Sequence, residues 1–329
     1  MKAVVVHEFA SFDQIGIDQL PDPIPGDEDV VIDVKAAEVN FPDILVIAGQ
    51  YQFKPPRPFS PGKAAAGVIS AVGRAVTGFT VGDSVAAQVE YGAYAEKLRV
   101  KAVNVFRVPP GVSYVKAAGL GLAYQTAHFA LAERARMQKG DVVLVLGAAG
   151  GIGFASVQLA KALGARTVIG AVSSADKAEI ARRAGADATF DLTSDNIRDG
   201  LRDFIRKLTG GHGADIVVDP VGGDANAAAL RALAWRGRMV IAGFTAGIPV
   251  IQSNYLLLKN IEVSGLQWSD YRDRTPEWIA KVQQELFDLH AAGKIDPLIS
   301  ATFPLADFKS ALALLRDRKV QGKVVLDVG

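Results

Sequence analysis

Cysteine is absent from the 329 residues, which excludes disulfides and thiolate-ligated zinc and fits a reducing compartment. Histidine is scarce. His7, His128, His212 and His290 lie far apart in the chain, and a tetrahedral metal site needs convergent ligands, so no metal is expected. A surplus of either charge is also missing. Lys and Arg total 36 against 35 Asp and Glu, which argues against a general nucleic-acid binder. There is no internal repeat or low-complexity tract. The one long apolar stretch, Val142 to Ala160, is interrupted by glycines, Ser156 and Gln158, so a buried strand and helix suit it better than a membrane span. The first residues, MKAVVVHEF, read as a strand with polar side chains by His7, without the pattern of a secretory leader. The expectation is a soluble, cytoplasmic protein with no membrane partner.

The most informative stretch is Asp141–Ala165. Val142–Leu146 is wholly apolar, as in a parallel strand buried on both faces. The turn Gly147-Ala148-Ala149-Gly150-Gly151-Ile152-Gly153 follows, then a helix closed by Gly164. Strand, glycine turn and helix N-terminus together suit a pyrophosphate, because N–H groups point outward there and absent Cβ atoms let oxygens approach. A tight strand–helix turn without a ligand would share the pattern.

Around this turn the chain changes character. Residues 1–118 read as an all-β region with loops, its strands at Ala3–Val6, Val30–Val34, Ala66–Val72 and Ser84–Val89. Residues 113–135 read as helical. Strands are expected at Val142–Leu146, Thr167–Val172, Ala188–Phe190, Asp215–Asp219, Arg238–Phe244 and Ile261–Leu266. Helices are expected from Ile152, Ser174, Ser194 and Asp224. Such alternation is the pattern of an α/β, doubly wound parallel sheet. Thr275-Pro276-Glu277 opens a further helix, and a helix over 306–317 and a strand at Lys323–Val328 close the chain. That gives one domain from residues 1–118 and 267–329, and a cofactor domain from 119–266.

An acidic residue normally receives the ribose 2′-hydroxyl of NAD about twenty residues beyond the glycine turn. The corresponding stretch is Ile169-Gly170-Ala171-Val172-Ser173-Ser174, with no carboxylate. Ser173 and Ser174 offer hydroxyl donors. Lys177 adds a cation in the first turn of a helix, where it opposes the macrodipole. A bound 2′-phosphate would explain that placement, and a solvated lysine beside Asp176 is the alternative.

The order of motifs resembles the medium-chain dehydrogenase/reductase superfamily, in particular its zinc-independent quinone oxidoreductase (zeta-crystallin-like) branch. The matching stretches are Glu38-Val39-Asn40-Phe41-Pro42-Asp43, Pro61-Gly62 with Ala66-Gly67-Val68-Ile69, Val81-Gly82-Asp83-Ser84-Val85, Gly92-Ala93-Tyr94-Ala95-Glu96, the glycine turn, and Gly322-Lys323-Val324-Val325. The resemblance implies a GroES-like irregular β-barrel beside a Rossmann domain, with chemistry in the cleft between them. Zinc-dependent members carry a cysteine near Asn40 and a histidine where Lys63 stands, so no metal is implied.

The resemblance further implies NADPH as cofactor, with contacts from Asn40, Thr126, Gly150, Gly151, Ile152, Ser173, Ser174, Lys177, Phe190, Val221, Gly243, Phe244, Thr245, Gly265, Leu266, Gln267 and Lys323. Relatives often carry a tyrosine where Phe190 stands, and Phe190 cannot donate to a phosphate. Asn40 equally suits a turn residue, and Thr126 a helix residue bonding back to a carbonyl.

Hydride transfer asks mainly for alignment, whereas an enone also needs a proton at its α-carbon. Tyr51, with Asn40, is the catalytic candidate, by resemblance to a tyrosine of enoyl-thioester reductases; packing beside Phe53 is the other reading. Leu45 stands where some quinone reductases have tyrosine. Three functions stay open: reduction of a quinone or α,β-unsaturated carbonyl, reduction of an enoyl thioester, and NADPH binding as a sensor or structural protein. A homodimer through edge strands of the parallel sheet is expected by analogy.

Overall fold

The computed structural model describes Met1–Gly329. The chain forms two compact units.

The first unit comprises Met1–Leu122, Ser269–Asp288 and Asp296–Gly329. Its N-terminal elements are β1 (Lys2–Val5), β2 (Gly16–Gln19), β3 (Asp29–Val39), α1 (Phe41–Ile47), β4 (Ala64–Val72), β5 (Ser84–Gln88), β6 (Lys97–Lys101), β7 (Val105–Arg107) and α2 (Tyr114–Gly119). β3 is the centre: it pairs with β4 and β6, and its C-terminal half receives a strand from the far end of the chain. Register shifts between Val31 and Ile32 and between Val34 and Ala36 bend it, since a bulge raises local twist. Alternate residues Val30, Ile32 and Val34 point into a core shared with Val46, Ile47, Phe59 and Ile69.

The expectation of an all-β N-terminal region needs correction, because residues 41–47 are helical. Pro42 fits a first helical turn, and Asp43 reaches back to accept from the Asn40 N–H at 2.8 Å. That pairing starts a helix too short to show a clear period.

The second unit comprises Ala123–Trp268 and Leu289–Ile295. It contains most of α3 (Leu122–His128), then β8 (Val142–Leu146), α4 (Gly151–Ala162), β9 (Thr167–Val172), α5 (Ala175–Arg183), β10 (Ala188–Asp191), α6 (Ile197–Leu208), β11 (Ala214–Asp219), α7 (Gly223–Ala232), β12 (Leu233–Ile241), α8 (Ser253–Lys259) and β13 (Glu262–Gly265). The six strands are parallel in the order β10-β9-β8-β11-β12-β13. The chain starts in the middle, winds to one edge, then returns and winds to the other. The reversal falls between β8 and β11, where ligands bind in doubly wound sheets. Every residue of β8 is buried, as its apolar run requires.

Three boundaries of this unit lie more than one residue from expectation. α6 starts at Ile197, not Ser194, because Asn196 caps it by accepting from the Asp199 N–H, while Thr193 folds back onto Asp191. β12 begins at Leu233, which pairs with Ala214, and a left-handed Arg236 (φ 62°) interrupts the register before Arg238. It ends at Ile241, so Gly243, Phe244 and Thr245 lie in the loop beyond it.

The chain closes with α9 (Trp268–Arg274), α10 (Pro276–Ala291), β14 (Ile299–Pro304), α11 (Phe308–Arg316) and β15 (Lys323–Asp327). β15 runs antiparallel to β3, with Val324 opposite Val39. Phe308 and Leu312 of α11 enter the first unit's core. No helix is long and apolar enough to cross a membrane.

Candidate functional site

In the second unit the glycine turn joins β8 to α4 as strand, turn and helix. Gly147 is left-handed (φ 61°), and a Cβ there would meet Val221 Cγ2 at 2.8 Å. A Cβ on Gly153 would stand 2.1 Å from the Gly147 carbonyl oxygen, so only glycine lets the helix approach the strand this closely. Gly150 is the N-cap of α4, and Gly151 and Ile152 form its first turn, where N–H groups have no acceptor inside the helix. A pyrophosphate fits such a cradle.

At the end of β9, Ser174 caps α5 by accepting from the Lys177 N–H at 3.3 Å. The Lys177 ammonium donates to Ser173 Oγ at 3.2 Å. Two hydroxyls and one ammonium therefore stand together where a carboxylate is missing, a donor set that suits a phosphate. Phe190 turns away from any polar role and packs against Phe204 at 5.5 Å between centroids.

The turns after β11 and β12 meet. Val221 O accepts from the Ala246 N–H at 2.7 Å, and Thr245 Oγ1 donates to Pro220 O at 3.4 Å. The Leu266 N–H donates to Ile241 O at 2.9 Å, which brings Gly265, Leu266 and Gln267 beside the end of β12. So Val221, Gly243–Thr245 and Gly265–Gln267 share the carboxyl edge of the sheet with the glycine turn. Thr126 is buried on α3, whose Tyr124 hydroxyl bonds to Gln158 of α4 at 2.5 Å.

Sequence reasoning missed what holds the β11 turn. Asp219, fully buried, accepts from the Val221 and Gly222 N–H groups, both at 2.8 Å, and from Asn226 Nδ2 at 2.7 Å. Burial nevertheless raises its pKa, outweighing those bonds. The Asp219-Pro220-Val221-Gly222-Gly223 run was the available signal, a strand end followed by a turn.

In the first unit, Asn40 is part of a buried polar cluster. Lys323 Nζ donates to Asn40 Oδ1 at 2.7 Å and pairs with Glu38 at 2.6 Å; Asn40 Nδ2 donates to Glu38 at 3.0 Å. Glu38 is 0% exposed, and a charge there requires a partner. Lys323 thus supports Asn40 directly. Behind Asn40, Asp43 accepts from Tyr94 Oη at 2.7 Å. Burial pushes the Asp43 carboxyl up to about 6 despite the Tyr94 bond and the Lys63 charge. Burial and the neighbouring Asp43 drive the Tyr94 phenol well above its ordinary value.

Tyr51 follows α1 and is half-buried. The Lys63 ammonium lies 4.7 Å from its ring centroid. Lys63 also donates to Glu90 at 2.5 Å, and Glu90 accepts from Arg272 at 2.8 Å. Burial would raise the Glu90 pKa, but the two cations lower it. Arg57, a candidate for the rim, pairs with Glu8 and stacks on Phe9. Tyr91 stacks on Phe53, and Tyr271 packs edge-on against Trp278.

The histidines stay apart. His7 pairs with Asp18 and His212 with Asp215, His290 Nδ1 lies 3.0 Å from Ile295 O, and His128 packs beside Phe129. No group of three or more His, Cys, Asp or Glu side chains could hold a metal ion.

A glycine cradle at the switch point of a parallel sheet, with a second unit built on strands that pair antiparallel around β3, fits a dinucleotide-type oxidoreductase architecture. The chain matches the family description Alcohol dehydrogenase GroES-like domain over residues 26–110 and Zinc-binding dehydrogenase over 151–285. It is 37% identical to a quinone oxidoreductase-like protein 2 of Mus musculus, covering 94% of this chain and 87% of that one. A mycobacterial protein solved in complex with NADPH superposes with TM-score 0.92 at 34% identity over 100% of both chains. The Escherichia coli quinone oxidoreductase in complex with NADPH does so with TM-score 0.91 at 29% identity, again over 100% of both. The chain belongs to the medium-chain dehydrogenase/reductase superfamily, in its zinc-independent quinone oxidoreductase branch.

Proposed function

We propose that the protein is an NADPH-dependent reductase that delivers hydride to a quinone or an α,β-unsaturated carbonyl. The observation that carries this reading is the Ser173–Ser174–Lys177 donor set at the end of β9, in the place where an NAD enzyme offers a carboxylate. NADPH would be held by the glycine cradle at Gly150–Ile152 through its pyrophosphate and by Ser173, Ser174 and Lys177 through its 2′-phosphate. Val221, Gly243–Thr245, Gly265–Gln267, Thr126, Asn40 and Lys323 are the further contacts proposed, with Phe190 lending only apolar packing. When bound, the cofactor supplies the hydride.

The chain's own part is alignment and proton supply. Lys323 and Glu38 fix the Asn40 amide, so its orientation needs no reorganisation when a ligand arrives. Tyr51 is the proposed proton donor for an enone, and a quinone needs less help from a protein acid. An enoyl thioester of CoA would want a basic patch for its phosphates; Arg57 is engaged by Glu8, which weighs against that substrate. The proposed assembly is a homodimer through the edge strand β13.

The test is oxidation of NADPH against a quinone, an enone and an enoyl-CoA in parallel. Turnover with either of the first two supports the reading. Turnover with enoyl-CoA alone, or tight NADPH binding with no turnover, overturns it.

A further inference from the structure

We infer that Lys63 is a positioning residue for Tyr51: with Glu90 and Arg272 it forms a buried ionic triad that holds the phenol ring and stabilises the phenolate left after proton donation. This rests on the reading of Tyr51 as proton donor.

The three residues come from separate parts of the first unit. Lys63 immediately precedes β4, Glu90 follows β5, and Arg272 is on α9. Lys63 and Arg272 are 5% exposed, and the Glu90 side chain is 15% exposed. The Glu90 carboxylate is shared, one oxygen to each cation, at 2.5 and 2.8 Å. Lys63 Nζ also donates to the Glu90 carbonyl at 3.2 Å, so its ammonium is tethered twice by one residue. Only its position over the Tyr51 ring remains to be explained, and Glu90 fixes that position.

Two cations on one carboxylate leave the triad with a net positive charge. Arg272 is further neutralised by Asp273, which is exposed, at 2.8 Å. Lys63 is the cation over the ring, and the charged groups that act on Lys63 are Glu90, which it shares with Arg272, and Asp43. Burial pushes the Asp43 carboxyl up to about 6, and the Lys63 charge works against that rise. Lys54 and Arg57 lie on the loop that follows Tyr51.

A cation over the ring face attracts the neutral ring through its quadrupole. It attracts a phenolate more strongly, since the ring then carries a full charge in a half-buried setting. The interaction therefore grows as the proton leaves, which is the condition for lowering a barrier. Once an enone has taken up hydride at its β-carbon it is an enolate. The Tyr51 O–H bond breaks, a C–H bond forms at the α-carbon, and the O–H electron pair stays on the phenolate, whose charge spreads into the ring that Lys63 faces. Water then returns a proton to Tyr51.

The experiment combines a titration and a rate. The ultraviolet tyrosinate signal is titrated in the protein without cofactor, and Tyr51 is isolated by subtracting Tyr51→Phe. Lys63→Met should raise the Tyr51 midpoint by about one unit and lower kcat for an enone about tenfold, while the NADPH Kd stays the same. Lys63→Arg should restore most of both. Because Lys63→Met leaves Glu90 with a single cation, Lys63→Met/Glu90→Gln is measured too and should show the same midpoint shift. An unchanged Tyr51 midpoint in both methionine variants overturns the inference alone. Full enone activity in Tyr51→Phe overturns the proton-donor reading beneath it.

Discussion

The Lys177 ammonium donates to Ser173 Oγ at 3.2 Å, while the N–H of the same lysine donates to Ser174 Oγ at 3.3 Å. One residue thereby ties both hydroxyls into a single donor face at the end of β9. The placement opposes the macrodipole of α5, since Lys177 is in its first turn. A phosphate held against the three groups would reverse that penalty.

Lys177→Ala is therefore expected to weaken NADPH binding by about tenfold or more, the scale of a lost charge-assisted bond, with little change for NADH. Titration of each cofactor against the wild type and the variant checks this. Equal losses for both cofactors would contradict it.

The glycine turn separates packing from binding. A Cβ on Gly153 meets backbone at 2.1 Å, while a Cβ on Gly150 finds its nearest atom at 3.5 Å, ordinary contact. Gly153→Ala should destabilise the protein by about 1–3 kcal/mol through overpacking. Gly150→Ala should leave the melting temperature nearly unchanged and weaken cofactor binding, because its methyl stands at the entry of the cradle. Thermal melts paired with NADPH titration separate the two.

Lys323 is the only cation paired with Glu38, which has no exposure to solvent. Lys323→Met should destabilise the protein by about 3–5 kcal/mol by stranding a buried charge. Adding Glu38→Gln should recover much of that loss. Urea unfolding of the single and double variants checks both.

Asp43 gives a pH dependence of defined sign. Its folded pKa is raised from 3.8 to about 6 by burial, so the folded state holds the proton more tightly than the unfolded state. The associated stability is complete below about pH 4 and is lost as pH rises through about 6, an amount on the order of 3 kcal/mol. Asp43→Asn, which keeps an acceptor for the Tyr94 hydroxyl, should remove this component. The stability difference between wild type and variant, followed by urea midpoint from pH 4 to 7, should fall as pH rises.

How far these features could be read from the sequence follows from their separation along it. The β8–turn–α4 unit is local, and its glycine spacing carries the geometry, so Gly150–Ile152 and the Ser173–Lys177 pair were legible. α1 was not, because seven residues cannot establish a helical period; the signal lay in Asn40 and Asp43, three apart. Glu38 and Lys323 belong to strands at opposite ends of the chain, and Glu90 meets Arg272 across 182 residues. Pairings of that range are set by how β3 recruits β15 and by where α9 falls, which no local pattern encodes. Lys63 could be noticed only as a departure from the histidine of zinc-dependent relatives. Its role depends on neighbours that the fold supplies.

Hydride transfer is tested most directly by a single turnover: enzyme carrying one equivalent of NADPH is mixed with excess quinone, and both nicotinamide absorbance and hydroquinone are followed. Loss of NADPH with one hydroquinone formed for each NADPH consumed is the expected result. Persistence of enzyme-bound NADPH in the presence of the quinone, and equally of an enone, would contradict it.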